Sequence, residues 1–129
     1  MRLHHVQVAM PRGQEETARR FYAEAVGLTE VEKPADLAAR GGCWFRALGP
    51  DGSAAAEIHV GVEDPFVPAR KAHPALVLDS EAELEAMAAR IQDAGFPLSW
   101  EERESFEGYL RFHAADGFGN RLEVLTPLG

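Results

Sequence analysis

His5, His59, His73 and Glu123 each stand opposite an apolar stripe in a short alternating segment. Side chains of a strand alternate between its two faces. Val6, Val8 and Met10 therefore share one face and leave His5 and Gln7 on the other. Ile58, Val60 and Val62 oppose Glu57 and His59; Leu76 and Leu78 oppose His73; Leu122 and Val124 oppose Glu123. Leu110 and Phe112 oppose Tyr109, Arg111 and His113 in the same way. Two or three imidazoles with one carboxylate suit a borderline divalent ion such as Zn, Fe, Mn, Ni or Co, not an oxygen-only Ca or Mg cage. A lone histidine is more often a core or surface residue than a ligand. The case rests on the set.

The elements that must position these residues come in a repeated order. Residues 3–10 read as a strand stopped by Pro11, and 14–26 as a helix with acidic residues in its first turn and Gly27 after its last. Strands are expected near Glu30–Glu32, Cys43–Leu48 and Glu57–Val62. After the breaker Asp64-Pro65-Phe66-Val67-Pro68 the order restarts. His73–Leu78 reads as a strand, and Glu81–Ala94 as an amphipathic helix with Asp79 and Ser80 as caps and Gly95 at its end. Strands near Leu98–Glu101, Tyr109–Ala114 and Arg121–Leu125 follow, with Asp116–Asn120 as a tight turn. His4, beside Val6, is expected on the helix-packed face.

The two passes overlay. His73 lies 68 residues after His5, Gly95 lies 68 after Gly27, Phe112 lies 67 after Phe45, and Glu123 lies 64 after His59. A near-constant offset through strand, helix and three strands is the trace of internal duplication. The expectation is an α+β chain of two βαβββ modules, about 1–66 and about 70–129, in one domain over 1–129. His5 and His73 then hold equivalent places, as do His59 and Glu123. Pseudo-symmetry would gather the four on one open face, a sheet with helices on one side leaving the other to water or ligand.

The net charge of −8, with 13 basic residues among 21 acidic ones, argues against nucleic acid as a partner. No apolar run is long enough to span a bilayer, so no membrane role is expected. The single cysteine, Cys43, forms no internal disulfide, and cytoplasm is the default location.

The stretches LHHVQVAMP, RRFYAEAVGL, AHPALVLD and DGFGNRLEVLTP resemble the vicinal-oxygen-chelate superfamily of glyoxalases, extradiol dioxygenases and bleomycin- or fosfomycin-resistance proteins. The resemblance covers essentially the whole chain and implies a cupped mixed sheet with helices on its outer face. It also implies a divalent metal held by first- and last-strand residues of each half, here His5, His59, His73 and Glu123. The dioxygenase branch uses two histidines and a glutamate, which His5, His73 and Glu123 would satisfy. The glyoxalase branch has a carboxylate where this chain has His59, so His59 would serve as ligand or base. A small substrate would chelate the ion through two neighbouring oxygens, giving lyase, isomerase or dioxygenase chemistry. Glu123 or His59 would move the proton. Tyr109, Arg111 and His113 would line the cup, with Trp44 and Arg46 as the opposite wall and Glu57 behind His59. A homodimer is implied by resemblance only, and family members build the cup either within one chain or between two. The rival reading is a metal-free resistance-type protein that sequesters a small molecule in the same cup.

Overall fold

The computed structural model describes residues 1–129. The first half runs β1 (Val6–Met10), α1 (Glu15–Ala18, continuing as a π-helical segment Arg19–Ala25), β2 (Thr29–Val31), α2 (Ala35–Ala38), β3 (Cys43–Leu48) and β4 (Ala54–Val62). The second runs β5 (Ala75–Val77), α3 (Glu81–Asp93), β6 (Leu98–Ser99), β7 (Tyr109–Ala115) and β8 (Arg121–Pro127). Each half is a four-stranded mixed sheet, ordered β1-β4-β3-β2 and β5-β8-β7-β6. In both, the first strand pairs parallel with the last and the remaining pairs are antiparallel. These are the two βαβββ units of the sequence pattern.

Registers test the duplication residue by residue. Gln7 pairs with His59 in one half and Ala75 with Glu123 in the other, so the offsets of 68 and 64 hold. The offset through the middle strands needs correction. Trp44 faces His59 and His113 faces Glu123, which makes Trp44 and His113 the equivalents. Phe112 faces Val124, whose counterpart Val60 faces Cys43, so Phe112 matches Cys43 and not Phe45. A slip of two residues keeps the same face, which is why alternation alone could not reveal it.

Local chemistry sets the elements. Ser80 Oγ accepts from the Glu83 amide at 3.2 Å, and the Glu83 carboxylate accepts from the Asp79 amide at 3.0 Å, tying off the start of α3. Gly27 (φ 93°) and Gly95 (φ 89°) end the helices in the left-handed region. The π-helical stretch was not visible in the periodicity. Its wider turn allows the consecutive Phe21 and Tyr22 both to be fully buried. The short α2 was also unforeseen, and β1 and β5 start later than the pattern suggested, leaving His5 and His73 just ahead of their ladders.

One core of 22 buried residues runs through both halves, drawing Phe21, Phe45 and Ile58 from the first and Leu84, Ile91, Phe112 and Val124 from the second. Phe21 and Phe96 meet edge to face at 5.0 Å, and Arg90 Nε donates to the Ala25 carbonyl. The Asp116–Asn120 turn carries the polar part of the junction. Buried Asp116 accepts from the Tyr22 hydroxyl (2.6 Å), the Phe118 and Asn120 amides and the Asn120 side chain, which also donates to the Ala9 carbonyl of β1. Burial first, and then the Asp116 charge, push the Tyr22 hydroxyl well above its ordinary pKa, so it stays a donor. Asp116→Ala would leave four donors without their acceptor. We expect it to cost about 3 kcal/mol in urea denaturation, with Tyr22→Phe costing about 1 kcal/mol. A loss below about 1 kcal/mol for Asp116→Ala would remove the turn from its structural role.

Candidate metal centre

Parallel pairing of β5 with β8 places His73, just ahead of β5, beside Glu123, and antiparallel pairing sets His113 opposite the same glutamate. His73 Nε2 lies 3.0 Å and His113 Nε2 3.8 Å from Glu123 Oε2. One ligand atom from each of the three lies within 4.8 Å of the others. His73 Nδ1 lies 2.6 Å from the Lys71 carbonyl, which only an N–H can satisfy. That contact puts a proton on Nδ1 and turns Nε2 towards the carboxylate. A lone pair cannot face a carboxylate oxygen at this distance unassisted; a proton or a cation must lie between them.

Charges at the site suit a cation. Burial opposes ionisation of Glu123, but hydrogen bonds from Arg111 and His73, with the nearby charges of Arg111 and His113, hold its pKa below the ordinary value. Burial lowers the His113 pKa, only partly offset by Glu123, so its imidazole is neutral at pH 7. A metal needs its carboxylate ionised and its imidazoles unprotonated. Two imidazole nitrogens and one anionic oxygen are the donor set of a divalent transition ion.

The first half holds the positional equivalents, but they are arranged differently. His5 stacks on His59 with ring centroids 4.0 Å apart and planes at 13°, and Trp44 stacks on His59 at 4.0 Å and 4°. Imidazole lone pairs lie in the ring plane, so two stacked rings cannot aim at one ion as placed. Within one chain the expected set of His5, His59, His73 and Glu123 divides into two groups: His73 and Glu123 converge with His113, while His5 and His59 form a separate stack. His113, read from sequence as a wall residue, is the one that alternation understated, because its partner Glu123 emerges only from the cross-strand register. His4 is exposed, with Nδ1 2.9 Å from that of His5, and is not on the helix-packed face; β1 begins only at Val6, so alternation does not extend back to it.

The other expected residues divide between these groups. Glu57 is buried and bonded by His59 Nε2 at 3.0 Å and Arg46 Nε at 3.2 Å. Arg111 donates to Glu123 Oε1 at 3.1 Å. Tyr109 lies at the far end of β7, edge-on to Phe106 at 5.1 Å, and takes no part in either group. A cavity of about 350 Å³ opens between β1 and the approach to β5, lined by Gln7, Glu63, His73, Pro74 and Asn120 among others.

The profile of the Glyoxalase/Bleomycin resistance protein/Dioxygenase superfamily matches residues 2–124. The chain belongs to this superfamily. A glyoxalase-family protein from Bacillus anthracis shares 37% identity and a TM-score of 0.84, covering 99% of this chain and 96% of that one. The same fold also appears, at 16% identity, in the fosfomycin resistance protein FosX from Listeria monocytogenes (TM-score 0.68; 100% and 93% covered). A glyoxylase/bleomycin resistance protein/dioxygenase domain from Frankia gives TM-score 0.71 at 16% identity, covering 99% and 93%. The curated proteins offer no match. Similarity at 16% identity shows the superfamily fold alone. No helix is long and apolar enough to cross a membrane.

Glu57 gives a pH test of the first half's cluster. Burial raises its pKa, yet the bonds from His59 and Arg46 outweigh this and leave it depressed. A depressed carboxylate contributes stability above its unfolded pKa of about 4.3, lost as pH falls through the folded value. Glu57→Gln should be less stable than wild type at pH 7, with the gap closing below about pH 4. A gap unchanged from pH 7 to pH 3 would contradict the charge-assisted pairing.

Proposed function

We propose that this protein is a divalent-metal-dependent enzyme acting on a small substrate chelated through neighbouring oxygens, with its ion held by His73, His113 and Glu123. The observation that carries this reading is the convergence of His73 Nε2, oriented by the bond of Nδ1 to the Lys71 carbonyl, with His113 on one oxygen of Glu123. When bound, the ion would supply Lewis acidity to the chelated oxygens. The cavity beside His73 has room for a small molecule.

His59 is the proton carrier in this proposal. Burial lowers its pKa, with partial compensation from Glu57, so it is neutral and able to accept a proton at pH 7. Glu57 holds Nε2, and Trp44 and His5 sandwich the ring, so the other nitrogen is the one available to substrate. For this to act on an oxygen chelated in the second half, the two groups must face one another. We propose a homodimer for this purpose, with the first-half face of one protomer set against the second-half face of its partner. The unpaired edge of β5 offers a strand edge for such contact.

The rival reading, metal-free capture of a small molecule, draws on the same stack. Trp44, His59 and His5 form a column of stacked rings whose edges could pack against an aromatic ligand.

Metal analysis and calorimetry separate the readings. Wild type should bind one Mn²⁺ per chain, and acetohydroxamate, a chelator with two neighbouring oxygens, should bind only after Mn²⁺. His73→Ala, His113→Ala and Glu123→Gln should each lose at least tenfold in Mn²⁺ affinity, while His5→Ala changes it far less. Loss in His5→Ala with retention in His113→Ala would move the ion to a different ligand set. Acetohydroxamate binding unchanged without metal would favour the sequestration reading.

A further inference from the structure

Arg111 was expected to line the cup and meet substrate, but its guanidinium is already engaged. Nη1 donates to Glu123 Oε1 at 3.1 Å, Nε to the Glu102 carbonyl at 3.2 Å, and Nη2 to Ser105 Oγ at 2.7 Å. Nη2 also lies 3.6 Å from the Glu102 carboxylate, and the guanidinium carbon sits 5.5 Å from the Phe106 ring centre. Its backbone amide donates to the Arg103 carbonyl at 3.1 Å. With its side chain only 17% exposed, little of the fork remains for a ligand.

The partners fall into two classes. One is the carboxylate of the candidate metal centre; the others all belong to the loop of residues 102–106 between β6 and β7. The loop is fixed at its other side through Arg103, which reaches Glu81 and Glu85 of α3 and lies over the Trp100 ring at 4.5 Å. Arg111 therefore connects an anchored loop to one oxygen of Glu123. That oxygen is Oε1; the other, Oε2, is the one near His73 and His113.

Resting on the metal-site reading above, we propose that Arg111 is a positioning residue that holds Glu123 as a one-oxygen metal ligand and couples metal occupancy to the 102–106 loop. Anchoring Oε1 stops the carboxylate from rotating and presents Oε2 alone to the ion. The planar fork is essential, because its donors point in three fixed directions at once. A lysine ammonium keeps the charge but cannot span the carboxylate, the Glu102 carbonyl and Ser105 together. With Oε2 engaged at the metal site, Glu123 would be fixed at both oxygens, and Arg111 with its loop partners would be held in place with it.

The test combines Mn²⁺ calorimetry with hydrogen exchange of the loop amides, on wild type, Arg111→Lys and Ser105→Ala. Wild type should bind Mn²⁺ and show slower exchange across 102–106 when loaded. Arg111→Lys should bind about 10- to 100-fold more weakly, by analogy with loss of a group that orients a metal ligand, and its loop exchange should no longer respond to Mn²⁺. Ser105→Ala leaves the Glu123 contact in place and should show a smaller loss of affinity with a reduced loop response. It also keeps the test decisive should Arg111→Lys fold poorly. Wild-type affinity and loop response in both variants would overturn the coupling while leaving the metal site standing. Absence of Mn²⁺ binding in wild type would overturn both proposals.

Discussion

Each half of this protein depends on one topological constraint, the parallel pairing of its first strand with its last. That pairing carries the residue ahead of the first strand to the side of a residue fifty or more positions later, and the antiparallel neighbour adds a third side chain on the same face. Because side chains alternate in strands, the register decides which three meet. The apolar positions between them face the helices and build a core shared by both halves. The polar positions are left to each other, and ladder and core geometry together set their spacing.

One arrangement applied twice has given two different chemistries. In the second half the trio is imidazole, imidazole and carboxylate: burial lowers the His113 pKa, Arg111 helps hold the Glu123 pKa down, and the Lys71 carbonyl orients the His73 ring. In the first half the equivalent trio is imidazole, indole and imidazole, and the flat rings stack. The carboxylate there, Glu57, sits two residues from His59 on the same strand and pairs across to Arg46 on β3. With His59 in place of Glu123 and Trp44 in place of His113, the first half layers its rings where the second half converges its donors. On the proposed reading, the ion belongs to the second half and a column of stacked rings with a proton acceptor to the first.

The fold was largely legible in the sequence because its signals are local. Alternation revealed the strands, Ser80 and the glycines at 27 and 95 marked helix ends, and the recurring offsets exposed the duplication. Cross-strand relations were harder. His73 and Glu123 were found through the repeat, but the proximity of His113 to both required the β7–β8 register, which periodicity does not encode. The stacking of His5 on His59 depends on ring orientation, and no spacing rule predicts that. The Asp116–Asn120 turn was recognised as a turn, yet its buried network with Tyr22 and Ala9 depends on contacts between halves. The π-helical segment was missed because burial of consecutive aromatics has no distinct sequence signature.

The central claim, that His73, His113 and Glu123 form the ion site, is tested most directly by anomalous diffraction from crystals grown with Co²⁺. One peak per chain should appear about 2.0–2.2 Å from the two imidazole Nε2 atoms and from a single oxygen of Glu123, by analogy with other N/O transition-metal sites. A peak shared with His5 and lacking His113, or no peak at this cluster beside an ordered His73 and Glu123, would contradict it.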